Sequence, residues 1–249
     1  MMADIQATAM ESSALELKEL ADANGVEVDG HVTDTSSDES VASLAAAVAE
    51  RFPGLPISLV AANAGIGDSQ SVYQAPDSHW QRMLGINVFG VVNTLRHFVP
   101  TMVAQEEPGV IVSTASLMGI TTGSGSYGVA KHAVVATMES LYTDLRGRGE
   151  NAKNLTTHVL CPQIVATNVT AGGPGDDREA TRTSDDTSAV HRGFQKYGSK
   201  ASKMAELVFE AATTGQFYLL CARSMQTHGW LAGRFESLLS LGILYRPNR

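Results

Sequence analysis

A tyrosine and a lysine one helical turn apart are the residues of this sequence best suited to chemistry. Tyr127 and Lys131 stand at positions i and i+4 of a helical segment, so they share one helix face. A phenol titrates at about 10, but an adjacent ammonium favours its ionised form and lowers its pKa. Ser116, 11 residues before Tyr127, could hold a carbonyl oxygen while the tyrosine gives or takes a proton. The set suits reversible carbonyl–alcohol chemistry.

Each feature has a simpler interpretation when it is taken alone. The tyrosine–lysine pair could be a solvated helix face, and Ser116 could be a helix cap or a turn hydroxyl. Asn63-Ala64-Gly65 could be a strand-ending turn, and Thr114 could compete with Ser116 for the role of the serine. The order of these residues along the chain, together with Asn87 24 residues after Asn63, is the informative signal.

Predicted strands and helices alternate along the chain, and several of these residues lie at or near the ends of these elements. The short apolar segment Ile57–Ala62 predicts a strand buried on both faces of a parallel sheet, and Asn63 follows it directly. Ser116 follows a second predicted strand, Val110–Ala115. The other predicted strands cover residues 26–32, 155–161 and 217–221, and the predicted helices cover about 10–21, 41–52, 77–105 (interrupted near Gly85 and Pro100), 127–145 and 201–213. Because the carboxyl ends of parallel strands form ligand sites, we expect one site there.

The alternation predicts one α/β domain over residues 1–249, a doubly wound parallel sheet with helices on both faces. Residues 163–200 contain Gly172-Gly173-Pro174-Gly175 and few apolar side chains, so we expect a mobile lid over the substrate. An apolar stripe predicts a C-terminal helix at about 225–241.

Composition excludes several classes of protein. The net charge of −8 and the pI of 5.3 argue against a nucleic-acid or anionic-membrane surface. Cys161 and Cys221 are the two cysteines, which excludes a disulfide framework, and no metal site is expected. No apolar segment approaches the roughly 18 residues of a membrane span, and the opening residues lack the pattern of a secretion signal. A cytoplasmic location is therefore expected.

Taken together, the motifs resemble those of the short-chain dehydrogenase/reductase family. The resemblance covers residues 3–221, and its motifs are Asn63-Ala64-Gly65, Asn87-Val88-Phe89-Gly90, Ser116-Leu117-Met118-Gly119, Tyr127-Gly128-Val129-Ala130-Lys131 and Pro162-x-x-Val165-x-Thr167. It implies a Rossmann-like fold and an NAD(P)-dependent oxidoreductase that interconverts a secondary alcohol and a ketone. Ser116 is favoured over Thr114 because the glycine that follows it matches the family.

The resemblance also implies a role for each matching residue. Tyr127 would be the proton donor or acceptor, and Lys131 would lower its pKa and hold the nicotinamide ribose. Ser116 would orient the substrate carbonyl, and Asn87 would support Lys131 through a water relay.

The implied cofactor is NAD rather than NADP. Asp4 resembles the acidic residue that binds both adenosine ribose hydroxyls, and such a carboxylate repels a 2′-phosphate. Asp34 would meet the adenine. The other residues expected to line the cofactor cleft are Asn63, Ala64, Gly65, Val165 and Thr167, with Tyr127 and Lys131.

The sequence departs from the family at its front. The family opens with a strand and a Gly-rich turn whose helix N-terminus holds the cofactor diphosphate, and the expectation here is that this first βα unit is missing. Its strand would lie in the middle of the sheet, so its neighbours would have unpaired edges. Gly172-Gly173-Pro174-Gly175 is not a replacement, because it follows no buried strand.

Three functions remain open from the sequence. The first is the oxidoreductase, acting on a small-molecule alcohol or ketone as a homodimer or homotetramer. The second is a structural or regulatory subunit that pairs with a complete paralogue, suggested by the missing phosphate-binding turn. The third is a non-redox use of Tyr127 and Ser116, such as an isomerisation or a dehydration.

Overall fold

The computed structural model describes residues 1–67, 69–121, 125–147, 152–167, 169, 192–193 and 195–220. Most of the predicted lid over 163–200 and the whole predicted helix over 225–241 lie outside these residues. Within the described ranges no helix is long and apolar enough to cross a membrane. The same ranges contain no group of three His, Cys, Asp or Glu residues arranged to hold a metal ion.

Strands and helices alternate as the sequence predicts. The strands are β1 Met2–Asp4, β2 Gly30–Val32, β3 Leu59–Ala62, β4 Gly109–Thr114, β5 Leu155–Cys161 and β6 Tyr218–Leu220. The helices are α1 Ala7–Ala23, α2 Asp38–Arg51, α3 Asp77–Leu84, α4 Gly90–Ala104, α5 Gly125–Gly147 and α6 Ala201–Thr214, with a π-helical turn at Gly85–Phe89 and a 3₁₀ turn at Leu117–Gly119. The predicted strand over 26–32 is shorter than expected, because only its last three residues pair with β1.

The described strands form two parallel sheets. One has the order β3-β4-β5-β6, and the other contains β1 and β2. β1 and β3 do not pair with each other, although residues of both line the same cavity. The two sheets are therefore separate among the described strands, and the missing first βα unit stays a prediction.

Helices cover both faces of the larger sheet, which confirms the predicted Rossmann-like architecture. On one face Val60, Ile111 and Val159 belong to a core with apolar residues of α2, α4 and α5. On the other face Val112 and Leu160 belong to a second cluster with Met204 of α6. Alternation of side chains along each strand is what sends neighbouring residues to opposite faces.

Two details differ from the predictions. Among the described residues, β3 is buried on one face only: Leu59 is 43% exposed and lines a cavity together with Ala61. The predicted long helix over 77–105 is interrupted by the π-helical turn at Gly85–Phe89, as expected near Gly85, but α4 continues through Pro100 without a break.

Candidate active site

Ser116 and Tyr127 come together at the carboxyl end of β4. Ser116 follows that strand by two residues and caps the 3₁₀ turn, where its Oγ accepts a hydrogen bond from Met118 N–H at 3.2 Å. Tyr127 lies in the first turn of α5, and its side chain lines the same cavity as Ser116, close enough for the serine hydroxyl to lower the pKa of the phenol. Thr114 points elsewhere and donates its hydroxyl to Asn63 Oδ1 at 2.8 Å. The structure thus brings Ser116, and not Thr114, to the tyrosine.

Burial controls the acidity of the tyrosine. Removal from water raises the pKa of Tyr127, because a phenolate loses more solvation than a phenol does, and the hydrogen bond from Ser116 lowers it by less. Lys131 is not among the causes of this shift, and its predicted lowering of the Tyr127 pKa stays a prediction. A catalytic phenolate needs additional positive charge close to the ring.

Lys131 is a buried cation on the same face of α5. It is 4% exposed, its Nζ donates to the Thr114 carbonyl at 3.0 Å, and Nζ lies 5.6 Å from the centre of the Tyr127 ring. Burial lowers the pKa of Lys131 to about 8, and the neighbouring Cys161 thiol opposes this shift. A lysine whose pKa is lowered by burial is typical of a functional site.

Asn87 joins the π-helical turn to the segment after Asn63-Ala64-Gly65. Its Oδ1 accepts from Ile66 N–H at 3.3 Å, and its Nδ2 donates to the Ile66 and Met83 carbonyls, each at 3.2 Å. A Cβ added to Gly65 would lie 2.8 Å from Asn87 Oδ1 and 3.3 Å from Lys131 Nζ, so all three residues meet. The amide is occupied by backbone groups here, and the water relay to Lys131 stays a prediction.

The residues expected around the adenosine line one cavity of about 310 Å³. Asp4 ends β1 beside this cavity, and its Oδ1 accepts from Gln6 N–H at 2.8 Å. Asp34 lies in the loop after β2, where one carboxylate oxygen accepts from the N–H and the hydroxyl of Ser36. Asn63, Ala64 and Gly65 complete the expected set on this cavity.

A second cavity of about 460 Å³ contains the acid–base residues. Ser116, Tyr127 and Lys131 line it together with Val165 and Thr167, as expected for the nicotinamide side. The apolar wall of this cavity includes Leu59, Val112, Leu160, Met204, Val208 and Phe209. The two cavities share Ala61, Asn63, Gly65 and Val169, so they adjoin at the end of β3.

Arg82, which was not predicted from the sequence, lines the first cavity from α3. Ile86, Gly90 and Thr94 line the same cavity, so residues spaced by four follow one helical stripe. That spacing is visible in the sequence, but the side of the stripe that faces the cavity is set by tertiary packing. A guanidinium at this place is suited to an anionic ligand group.

Gly119 lets α5 approach the 3₁₀ turn, and we expect an alanine there to be destabilising. The added Cβ would lie 2.5 Å from the Lys131 carbonyl oxygen and 2.9 Å from its carbon, so backbone must move. We expect Gly119→Ala to lose about 1–3 kcal/mol of unfolding free energy in urea titrations, as overpacked sites do. Gly147→Ala is the matched control, because its Cβ would meet nothing within 4 Å. Equal stability of the two variants would contradict this close approach.

Comparison with known proteins identifies the family. A family model described as short chain dehydrogenase matches residues 1–176. The 1-deoxy-11-beta-hydroxypentalenate dehydrogenase of Streptomyces exfoliatus is 30% identical over 227 residues, which are 88% of this chain and 72% of that protein. The (-)-trans-carveol dehydrogenase of Rhodococcus erythropolis is 36% identical over 112 residues, 43% of this chain and 40% of that protein.

A solved structure gives the same result for the fold. A short chain dehydrogenase/reductase from Burkholderia phymatum, in complex with NAD, superposes with a TM-score of 0.79 at 30% identity and covers 99% of this chain and 87% of its own. The match extends over the strands and helices that form the two cavities. With the family model over residues 1–176, this places the chain in the short-chain dehydrogenase/reductase family of oxidoreductases.

Proposed function

We propose that this chain interconverts a secondary alcohol and a ketone by hydride transfer with NAD(P), using Tyr127 as the acid–base catalyst. The observation that carries the proposal is the closeness of Tyr127, Ser116 and Lys131 in the second cavity, which adjoins the carboxylate-lined first cavity. A dinucleotide is long enough to need two adjoining spaces, and its nicotinamide end belongs beside the tyrosine.

The residues divide the chemistry between them. In the oxidation direction the substrate hydroxyl gives its proton to the Tyr127 oxygen, while the carbon that bears it loses a hydride. The nicotinamide, when bound, supplies the acceptor for that hydride. Ser116 donates a hydrogen bond to the substrate oxygen as it becomes a carbonyl, and the Lys131 ammonium stabilises the phenolate that burial disfavours.

The first cavity fits the adenosine and diphosphate portion of such a cofactor. Asp4 and Asp34 present carboxylate oxygens, which accept hydrogen bonds from ribose hydroxyls or an adenine amino group. Gly65 lines this cavity without a side chain of its own, and Arg82 supplies a cation for a phosphate. A carboxylate at Asp4 favours NAD over NADP, since a 2′-phosphate carries the same charge.

Substitution of Asp4 tests the cofactor preference. We expect Asp4→Asn to weaken NADH binding about tenfold, as loss of a charged hydrogen-bond acceptor would, and to improve NADPH binding relative to NADH. Fluorescence titration of both nucleotides measures the ratio. Asp22→Asn removes the same charge from an exposed ion pair with Lys18 outside both cavities and should leave the ratio unchanged. An unchanged ratio in Asp4→Asn would assign the preference to other residues.

The apolar wall of the second cavity indicates an apolar substrate. Charged groups are expensive to place against Leu59, Val112 and Leu160 because that surface offers them no partner. Formation of NADH during incubation with cyclic apolar secondary alcohols, compared with hydroxy acids of matched size, tests this. We expect turnover of the alcohols. If only the hydroxy acids were turned over, the apolar substrate class would be rejected. If neither group were turned over although the cofactor binds, the proposed activity would be rejected.

The alternative function is a structural or regulatory subunit, and the interruption between β1 and β3 is the observation that favours it.

We propose a homo-oligomer in the first instance, because Phe89, directly before α4, and Val129 on α5 are 57% and 46% exposed. Light scattering of the purified chain should give the mass of a homodimer or homotetramer. A folded monomer that binds no nucleotide would favour the subunit role instead.

A further inference from the structure

A buried histidine reaches the first turn of α5, the helix that carries Tyr127 and Lys131. His79 lies in α3 and is 5% exposed, and its Nε2 is 2.7 Å from Ser126 Oγ. Ser126 is fully buried and directly precedes Tyr127 in the chain. This contact therefore joins two helices at the residue next to the proposed acid–base catalyst.

The same serine is bonded to the segment that follows the cofactor-side residues. Gln70 N–H donates to Ser126 Oγ at 3.2 Å, and Ser126 N–H donates to the Gln70 carbonyl at 3.0 Å. The two backbones approach so closely that a Cβ on Gly125 would collide with the Gln70 carbonyl oxygen. Gly125 also has a φ of +55°, which favours glycine for a second reason. This contact between the first turn of α5 and the segment at Gln70, called the junction below, thus depends on several adjoining residues.

The Ser126 hydroxyl can satisfy both of its partners at once. A hydroxyl has one proton to donate and two acceptor positions, and the Gln70 N–H occupies one acceptor position. The proton can go to an unprotonated His79 Nε2, or the second acceptor position can take a proton from Nε2–H. In either arrangement the hydroxyl is held between α3 and the segment at Gln70, so its rotation is restricted.

We propose that His79 is a positioning residue for Tyr127. Through Ser126 it holds the first turn of α5 and the segment at Gln70 in one arrangement, which keeps the Tyr127 phenol against Ser116 in the second cavity. The effect on turnover rests on the proposed function, because proton transfer requires the phenol within hydrogen-bond distance of the substrate oxygen. Without His79 the serine hydroxyl is released on that side, and the phenol samples positions from which it cannot react.

Two substitutions at His79 separate the hydrogen bond from packing. His79→Phe keeps a ring of similar size but has no group that can bond Ser126, whereas the amide of His79→Gln can donate or accept there. We expect His79→Phe to lower kcat about tenfold while the NADH dissociation constant changes less than about twofold. His79→Gln should recover most of kcat. Equal activity of His79→Phe and wild type, or no recovery in His79→Gln, would overturn the proposal.

Ser126→Ala provides the second test and serves if His79→Phe does not fold. It should lower kcat as His79→Phe does, and the double variant should lose no more than either single one, because both changes remove the same interaction. Additive losses would mean that His79 acts independently of Ser126.

Amide hydrogen exchange tests the junction without any turnover. The Gln70 and Ser126 amides should exchange faster in His79→Phe than in wild type, while the amide of Val159 in the centre of the sheet should not change. If wild type is inactive, the proposed function fails, but the exchange rates of these amides still show whether the junction exists. Unchanged exchange at both amides would refute the role of His79 in the junction.

Discussion

Tyr127→Phe is expected to reduce turnover by about 10²–10⁴-fold, the contribution of one general acid–base group. The substitution removes the phenol oxygen and leaves the ring, so the packing of the first turn of α5 should persist. NADH affinity should change little, because Asp4, Asn63 and Gly65 remain at the first cavity. The loss should therefore fall on kcat, measured by initial rates at saturating nucleotide.

A surface tyrosine provides the matched control. Tyr197 is 73% exposed and lines neither of the two cavities, so Tyr197→Phe should keep the wild-type rate. Ser116→Ala should share the defect of Tyr127→Phe, since both side chains line the second cavity and are proposed to act on the same substrate oxygen. If Tyr127→Phe turned over as fast as Tyr197→Phe, the assignment of Tyr127 as the acid–base group would be abandoned.

Lys131→Met is expected to stabilise the protein while it destroys activity. Burial lowers the pKa of Lys131 from 10.5 to about 8, so at pH 7 the folded chain carries a poorly solvated ammonium. This lowering of the pKa corresponds to a destabilisation of the folded chain by about 3 kcal/mol, which Lys131→Met removes. About 1 kcal/mol is subtracted from that gain because the variant loses the hydrogen bond to the Thr114 carbonyl. We expect a net gain of about 1–3 kcal/mol in urea unfolding at pH 7.

The pH dependence has a definite sign. Between pH 8 and about 10.5 the unfolded chain holds a proton on Lys131 that the folded chain has released. Stability therefore rises with pH across this window, and the Lys131 contribution to the rise disappears in Lys131→Met. Lys203→Met, at an exposed position of α6, is the control and should keep the wild-type slope. A Lys131→Met variant that is less stable than wild type, with an unchanged slope, would contradict this account of the lysine.

The order of the site residues along the chain was sufficient to predict which of them meet. Ser116 follows β4 and Tyr127 begins α5, and because consecutive elements of a parallel sheet deliver their ends to one edge, the sequence places them together. Tyr127 and Lys131 share a helix face by spacing alone. These inferences are local, which is why they survive the comparison with the structure.

Properties that depend on packing could not be predicted in the same way. The raised pKa of Tyr127 follows from depth of burial, which no spacing reveals. Asn87 lies in a π-helical turn and is hydrogen-bonded to Ile66, and neither the turn nor the contact follows from the spacing of the residues. Leu59 has the residue type of a core position, yet it is exposed and lines the second cavity. The position of His79 in the sequence gives no indication of its contact with Ser126, which lies 47 residues away in the chain.

Titration of the purified chain with NADH and NADPH, followed by nicotinamide fluorescence, decides whether the two adjoining cavities bind a dinucleotide. Circular dichroism on the same sample establishes that the chain is folded. We expect saturable binding of both nucleotides, tighter for NADH, with the preference weakened in Asp4→Asn and binding retained in Tyr127→Phe. A folded chain that binds neither nucleotide would contradict this expectation, because the two adjoining cavities would then not be a cofactor site.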